Sequence, residues 1–446
     1  NFVSAAIGIA VLFALIRGFV RVKKTGIGNF YTDMTKTVLY ILIPLSMVVS
    51  LTIASQGVPQ TFKQYDEVQL LEAVVVENEN GTATEVTKAV VPLGPGASQI
   101  AIKQLGTNGG GFWGNNSAHP FENPTPLSNL FEMIWLLLIP AVLCFTFGRN
   151  VKDKRQGTAI FLAMFILLVI ALGVIGASEQ AGTPQLAQNG AVDIAAGEGN
   201  IGGNMEGKET RFGITTSSTW AAFTTAASNG SVNSMHDSYT PIGGMIPMLL
   251  MMLGEIVFGG VGCGLYGMIG FVLLAVFIAG LMVGRTPEYL GRQIESREKR
   301  MAILLCLATP IALLVGSGIA TLLPSTADAL NNSGAHGLSE VLYNYASAAG
   351  NNGSAFAGMG CDTPFLNTSI GLVMLFVRFV PMTAAIVIAG SMAAKKKVAA
   401  SAGTLSTSNA MFVFLLILVV LIIGALSYLP ALALGPIAEF TQMIGI

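Results

Sequence analysis

The chain has 446 residues, 52% of them hydrophobic and 11% charged, with a net charge of -1. Soluble domains carry about 25% charged residues, so a mean hydropathy of +0.67 leaves too little polar surface to cover a water-soluble core. A soluble enzyme, a basic nucleic-acid binder and a disordered chain are excluded, and a polytopic membrane protein remains.

The chain begins at Asn1 and enters an apolar stretch at once, with no cleavable signal pattern, so its true start is expected upstream. A bilayer core takes about 20 apolar residues per helix. That rule predicts spans at 3–21, 38–56, 128–148, 158–177, 242–283, 301–323, 366–393 and 410–434. The fifth is too long for one crossing. It contains Gly259-Gly260-Val261-Gly262-Cys263-Gly264, and each Gly costs a helix about 1 kcal/mol relative to Ala. The span should unwind there into an intramembrane loop able to gate passage; close helix packing through small residues is the alternative. Cys144, Cys263, Cys306 and Cys361 lie far apart and read as small apolar residues.

The short loops 22–37, 149–157, 284–300 and 394–409 hold most of the 23 Lys and Arg. The long loops 57–127, 178–241 and 324–365 hold few, so the short loops face the cytoplasm. The long loops carry Glu72, Glu77, Glu79, Glu85, Asp193 and Glu198, which solvate them or weakly attract cations to a mouth.

The long loops share a plan. A short stretch able to form two or three helical turns (97–106, 216–228, 338–349) leads to an Asn-Gly cluster. The clusters are Thr107-Asn108-Gly109-Gly110, Ser228-Asn229-Gly230-Ser231 and Asn351-Asn352-Gly353-Ser354. Gly109 and Gly230 are 121 residues apart, Gly230 and Gly353 123, the mark of an internal repeat of helix, re-entrant segment and helix. A re-entrant helix points its negative C-terminal end inward, where it favours a cation. The extended residues that follow can offer carbonyls in place of a hydration shell. Extrapolation by one period places another cluster before Asn1, so three and a half visible units imply four about a pseudo-fourfold axis. Residues 1–37 would be the second helix of an incomplete first unit with its cytoplasmic loop. Residues 38–157 would be the second unit, with pore loop 97–125. Residues 158–300 would be the third, with pore loop 216–238 and broken helix 242–283. Residues 301–409 would be the fourth, with pore loop 338–360, and 410–446 an additional transmembrane helix.

Leu105-Gly-Thr-Asn-Gly-Gly-Gly-Phe112 followed by His119-Pro-Phe-Glu-Asn-Pro-Thr125 resembles a pore loop of the KdpA family, the A chain of potassium-transporting ATPases. Asn204–Gly213, Met235–Ser238, Gly254–Gly262, Gly284–Gly291, Asn351–Gly358 and Ala431–Pro436 agree with it along the whole chain. The resemblance implies an all-α membrane protein of the superfamily of K transporters, in the bacterial inner membrane. It also implies a potassium-selecting subunit that works with a P-type ATPase subunit and two small accessory chains. By position, Gly109, Gly230 and Gly353 match the family's filter glycines, flanked by Thr107, Asn108, Gly110, Ser228, Asn229, Asn352 and Ser354. Family members are longer at the N-terminus and carry a first pore loop there.

No ATP site or bound cofactor is expected, and potassium is the cargo. Gly202–Glu209 has Walker A spacing, but Glu209 stands where Ser or Thr would meet Mg²⁺. Gly262–Gly267 matches a dinucleotide fingerprint but lies in an apolar span with no strand before it. His119, His236 and His336 lie near the clusters, for hydrogen bonding behind the filter or for proton or metal chemistry. Glu255 and Arg378 fall inside spans, where charge is costly; they form a structural ion pair or serve ion passage. The leading reading is the potassium-selecting subunit of an ATP-driven importer. A self-sufficient passive or ion-coupled potassium transporter of the same architecture is the second. A solute transporter with inverted repeats is the third, disfavoured because the visible units run parallel.

Overall fold

The computed structural model describes residues 1–77, 83–114, 116–188, 193–282, 284, 286–399 and 404–445; Glu79 and Arg285 lie outside them. Eight helices among the described residues are long and apolar enough to cross a membrane. In chain order the longer helices are α1 (Phe2–Val20), α2 (Phe30–Ala54), α3 (Gly96–Leu105), α4 (Pro126–Asn150), α5 (Lys154–Ala181), α6 (Gly213–Ala226), α7 (Pro241–Met252), α8 (Cys263–Met282), α9 (Ser296–Ala320), α10 (Gly334–Gly350), α11 (Pro364–Ala394) and α12 (Ala410–Met443).

Several helices outrun the predicted spans because polar caps lie beyond the apolar run. Asn29 accepts from Thr32 N (3.0 Å) and starts α2 early. The same helix widens into a π-turn over Val38–Leu42, ahead of Pro44, which cannot donate to the turn before it. Asp153 caps α5, and Thr363 caps α11. Helix α12 runs past 434 through a kink at Gly435. The predicted fifth span is two helices, α7 and α8, with residues 253–262 between them non-helical. Departing from the helical reading, the first long loop folds as an antiparallel hairpin of β1 (Tyr65–Glu77) and β2 (Ala83–Pro92). Its β-branched residues favour that choice.

Close backbone approach sets the packing. A Cβ on Gly18 of α1 would stand 2.6 Å from Ala389 Cα of α11, and one on Gly8 would stand 2.1 Å from Val261 O. One apolar core joins α1 and α2 to α4, α5, α8, α9, α11 and α12; a second surrounds α10.

At the end holding the short basic loops, Arg292 is buried, at 1% exposure. It donates to Met392 O (2.6 Å) and Lys395 O (2.7 Å) at the end of α11, and to Phe19 O (3.3 Å) and Arg21 O at the end of α1. One guanidinium thus satisfies the orphan carbonyls of two helices where their dipoles are negative. Arg292→Met should cost about 3 kcal/mol, because it leaves buried carbonyls unpaired. Thermal unfolding of the purified protein in detergent should show a clear drop in Tm, whereas Arg297→Met, on the exposed start of α9, should show little.

At the opposite end, His336 of α10 bridges Glu439 of α12 (Nδ1–Oε1, 2.7 Å) and Asp237 (Nε2–Oδ1, 3.0 Å). Burial alone would lower its pKa, but the two carboxylates overcome that and hold it up to about 10. The folded value lies above the ordinary one near 6.5. The stabilisation is therefore complete below pH 6.5 and is lost as pH rises toward 10. His336→Gln should lower Tm most at pH 6, and its gap from wild type should close by pH 10.

Candidate functional site

Helices α3, α6 and α10 each run into one of the three Asn-Gly clusters, and the three loops have the same backbone. Thr107 (φ 50°), Ser228 (φ 55°) and Asn351 (φ 54°) are all left-handed. Two residues on, Gly109 (φ 63°), Gly230 (φ 90°) and Gly353 (φ 98°) also have positive φ. The residue between them returns its N–H to the helix: Asn108 to Lys103 O (3.0 Å), Asn229 to Thr224 O (3.0 Å) and Asn352 to Ser347 O (2.9 Å). A non-glycine residue at positive φ is strained, by more when it is β-branched like Thr107. Three such residues at one register position require surroundings that over-determine the turn.

Those surroundings are the neighbouring loops. Asn229 Nδ2 donates to Lys103 O (3.2 Å) and Gln104 Oε1 (3.1 Å) at the end of α3. Asn352 Nδ2 donates to Thr224 O (2.9 Å) of α6. Each Asn Oδ1 also accepts a backbone N–H two residues ahead, from Ser231 (2.9 Å) or Ser354 (3.1 Å). A Cβ on Gly109 would stand 1.9 Å from Asn229 O, and one on Gly230 2.2 Å from Asn352 O. These positions need glycine for space as well as for φ. Gly353 and Gly110 have nothing within 4 Å of an added Cβ. Beside Gly353 lies a cavity of about 510 Å³ that reaches across to Asn108. The Asn108 side chain faces Gly106 O, Asn1 O and Ser4 Oγ.

Six residues before each glycine the loops differ. Thr224 Oγ1 accepts from Gly230 N (3.0 Å), and Ser347 Oγ from Gly353 N (3.1 Å). In the first loop that position is Lys103, fully buried and paired with Glu122. Glu122 also accepts from the N–H groups of Phe112 and Trp113, so one buried ion pair holds the outgoing segment to α3. Gln104 Nε2 donates to Glu132 (2.6 Å) and links the first loop to α4. In the second unit, Lys208 pairs with Glu179 (2.7 Å) and lies over the Tyr239 ring. That accounts for the lysine of the Walker-like segment. Lys103, Glu122 and Gln104 are absent from the sequence-derived site, although a lysine within a short apolar helix marks the place.

The interruption between α7 and α8 lies against these loops. It spans 253–262, earlier than the glycine run suggested, and Gly264 belongs to the first turn of α8. Glu255 (φ 51°) and Phe258 (φ 67°) join Gly254, Gly259 and Gly262 at positive φ. Gly259 N–H donates to Ala226 O at the end of α6 (2.8 Å), and Val261 N–H donates to Thr107 Oγ1 (3.1 Å). A Cβ on Gly260 would stand 2.6 Å from Cys263 Sγ, and one on Gly264 1.9 Å from Phe258 O.

Glu255 and Arg378 line one cavity but are not an ion pair, which corrects that expectation. Arg378 Nε donates to Asn351 Oδ1 (3.2 Å), and Glu255 Oε1 has no hydrogen-bond partner. A Cβ on Gly350 would meet Glu255 Cδ at 2.9 Å, so the carboxyl group sits at the negative end of α10. A neighbouring cavity of about 530 Å³ joins Thr107, Asn108, Ser228, Gly260, Asn351 and Arg378. Arg378 lines both cavities, Glu255 the first, and Thr107 and Ser228 the second.

The histidines have separate surroundings. His119 Nδ1 accepts from Phe121 N (3.1 Å), and its ring stacks on Trp113. His236 is fully buried against Tyr343 OH (2.6 Å), and burial holds it neutral by lowering its pKa to about 3. His336, Asp237 and Glu340 bring possible ligand atoms within 4.8 Å of one another, but both His336 nitrogens already face carboxylates.

The family model for the potassium-transporting ATPase A subunit, KdpA, matches residues 1–441. The chain is 74% identical over 445 residues to the potassium-transporting ATPase potassium-binding subunit of Clostridium botulinum (strain Alaska E43 / Type E3), covering 100% of this chain and 76% of that one. It is 68% identical to the protein of that name from Clostridium perfringens, with the same coverage. It is 59% identical to that of Desulfovibrio desulfuricans, over 99% of this chain and 76% of that one. With the repeated loops and their interlock, these likenesses establish that the chain belongs to the potassium-transporting ATPase A subunit family.

Proposed function

We propose that this chain is the potassium-binding and translocating subunit of an ATP-driven potassium import complex in the bacterial inner membrane. The shared backbone of the three loops, each laid over the next through an Asn amide, carries the reading. Gly109, Gly230 and Gly353 each present a carbonyl to a potassium ion that has shed its water. Thr107, Asn108, Gly110, Ser228, Asn229, Asn352 and Ser354 hold those glycines in place. The units are those bounded at 37, 157, 300 and 409, arranged with pseudo-fourfold symmetry. The open side of Gly353, facing Asn108 across a cavity, is where a fourth loop closes the ring. An ion leaving the filter meets the interruption at 253–262, which prevents direct leakage and acts as the gate. Glu255 and Arg378 tune the field in the cavity there. ATP hydrolysis belongs to a P-type ATPase partner, and two small accessory subunits complete the assembly. A self-sufficient potassium transporter would share the filter but would show transport without ATP.

The test uses the assembled complex with its full-length subunit. Gly230→Ser drives a Cβ into Asn352 O and also forces φ, whereas Gly353→Ser forces φ alone. Both should raise the potassium concentration for half-maximal ATPase stimulation, Gly230→Ser by tenfold or more, and should let rubidium, ammonium or sodium compete. Gly110→Ala, with open space around it, should do less. An unchanged cation ranking in both serine variants would reduce the clusters to ordinary turns.

A further inference from the structure

The third loop is held by a chain of side chains that the filter reading does not use. Tyr343 lies on α10, fully buried. Its hydroxyl is 2.6 Å from His236 Nδ1, which comes from the second loop, and 2.9 Å from Ser354 Oγ, the residue after Gly353. Ser354 Oγ in turn lies 3.7 Å from Met251 Sδ of α7. The Tyr343 ring stacks on Phe356 (4.5 Å between centroids), which stacks on His336 (5.8 Å).

The direction of the chain follows from counting protons. His236 Nε2 is buried without a partner, and a buried orphan N–H is rarer than an unused lone pair. The imidazole proton therefore sits on Nδ1 and is donated to Tyr343. Tyr343 O–H then donates to Ser354 Oγ, and Ser354 O–H points at Met251. The opposite direction would leave Nε2–H buried and unpaired. Ser354 also donates its backbone N–H to Asn352 Oδ1 (3.1 Å), so fixing its side chain fixes the strand on both sides of Gly353.

We propose that Tyr343, oriented by His236, is a positioning residue for potassium selectivity: its hydroxyl holds Ser354 and so sets the carbonyl geometry at Gly353. The inference rests on the loops forming an ion filter. Gly353 needs such a brace most, because a Cβ added there would meet nothing within 4 Å, whereas one on Gly109 or Gly230 would meet the next loop. Tyr345, two residues on and so on the opposite face of the same helix, has its hydroxyl 2.6 Å from Ser369 Oγ of α11 and touches no filter loop through it.

The experiment compares Tyr343→Phe, Tyr345→Phe and Gly353→Ser in the assembled complex with its full-length subunit. The readout is the ratio of half-stimulating rubidium to potassium concentrations in ATPase assays, with the maximal rate recorded separately. Removing one hydrogen-bonding hydroxyl while keeping the ring should shift the ratio toward rubidium by roughly threefold to tenfold. The maximal rate should stay near wild type. Ser354→Ala should shift the ratio similarly, and the double variant should add little to either single one. Tyr345→Phe should leave the ratio unchanged. If Gly353→Ser alters the ratio and Tyr343→Phe does not, the brace is refuted and the filter stands. If neither alters it, the filter reading falls and the brace with it. Equal shifts from Tyr343→Phe and Tyr345→Phe would reveal general loosening of α10 and also refute the brace.

Discussion

Everything in this molecule depends on satisfying non-helical backbone buried among the helices of a membrane protein. Lipid offers no hydrogen bonds, so irregular chain is stable there only when protein encloses it. Three loops solve the problem by enclosing one another. Asn229 and Asn352 each close a turn with the side-chain oxygen and reach the preceding pore helix with the side-chain nitrogen. The same amide therefore fixes a left-handed residue within its own loop and the distance to the next. The left-handed Ser228 in particular is disfavoured without such support.

Buried charge serves the same end. Lys103–Glu122 and Glu179–Lys208 are ion pairs at zero side-chain exposure. Such pairs contribute little net stability against apolar replacements, yet losing one partner costs several kcal/mol. Their value here is directional: Glu122 receives two successive backbone N–H groups of the outgoing strand, and Glu179 receives Thr240 at the start of α7 (2.8 Å). An apolar pair could fill the volume but could not aim a strand.

Much of this was legible in the sequence. Apolar run length marks the crossings, and the equal spacing of the Asn-Gly clusters marks the loops. The composition of Gly259–Gly264 marks a broken helix. What escaped has physical reasons. The interruption begins at Leu253, ahead of its glycines, because Gly254 and Glu255 already turn the chain to meet α10. Opposite signs leave Glu255 and Arg378 open to an ion pair or to a role in ion passage, and sign carries no distance; Arg378 Nε donates to Asn351 instead. Nothing local marks Arg292, since the carbonyls it caps, those of Phe19 and Met392, lie 273 and 100 residues away in the chain. The hairpin of the first long loop lacks a clean period of two, because β1 carries the runs Leu70-Leu71 and Val74-Val75-Val76 and shifts register between Gln69 and Val74.

The loops and the broken helix form a single mechanical unit. Thr107 uses its hydroxyl to accept from Val261, and the last turn of α6 uses Ala226 O to accept from Gly259. The interruption is thus suspended from two of the three Asn-Gly loops and their helices, while Gly8 of α1 and Gly262 approach each other closely. A change at the loops displaces Thr107 or Ala226 and must move residues 259–261 with them, since each of these bonds joins backbone on at least one side. Glu255, at positive φ with one carboxyl oxygen unpartnered, is the least satisfied part of that segment. It is therefore the point at which the segment has least to lose by rearranging.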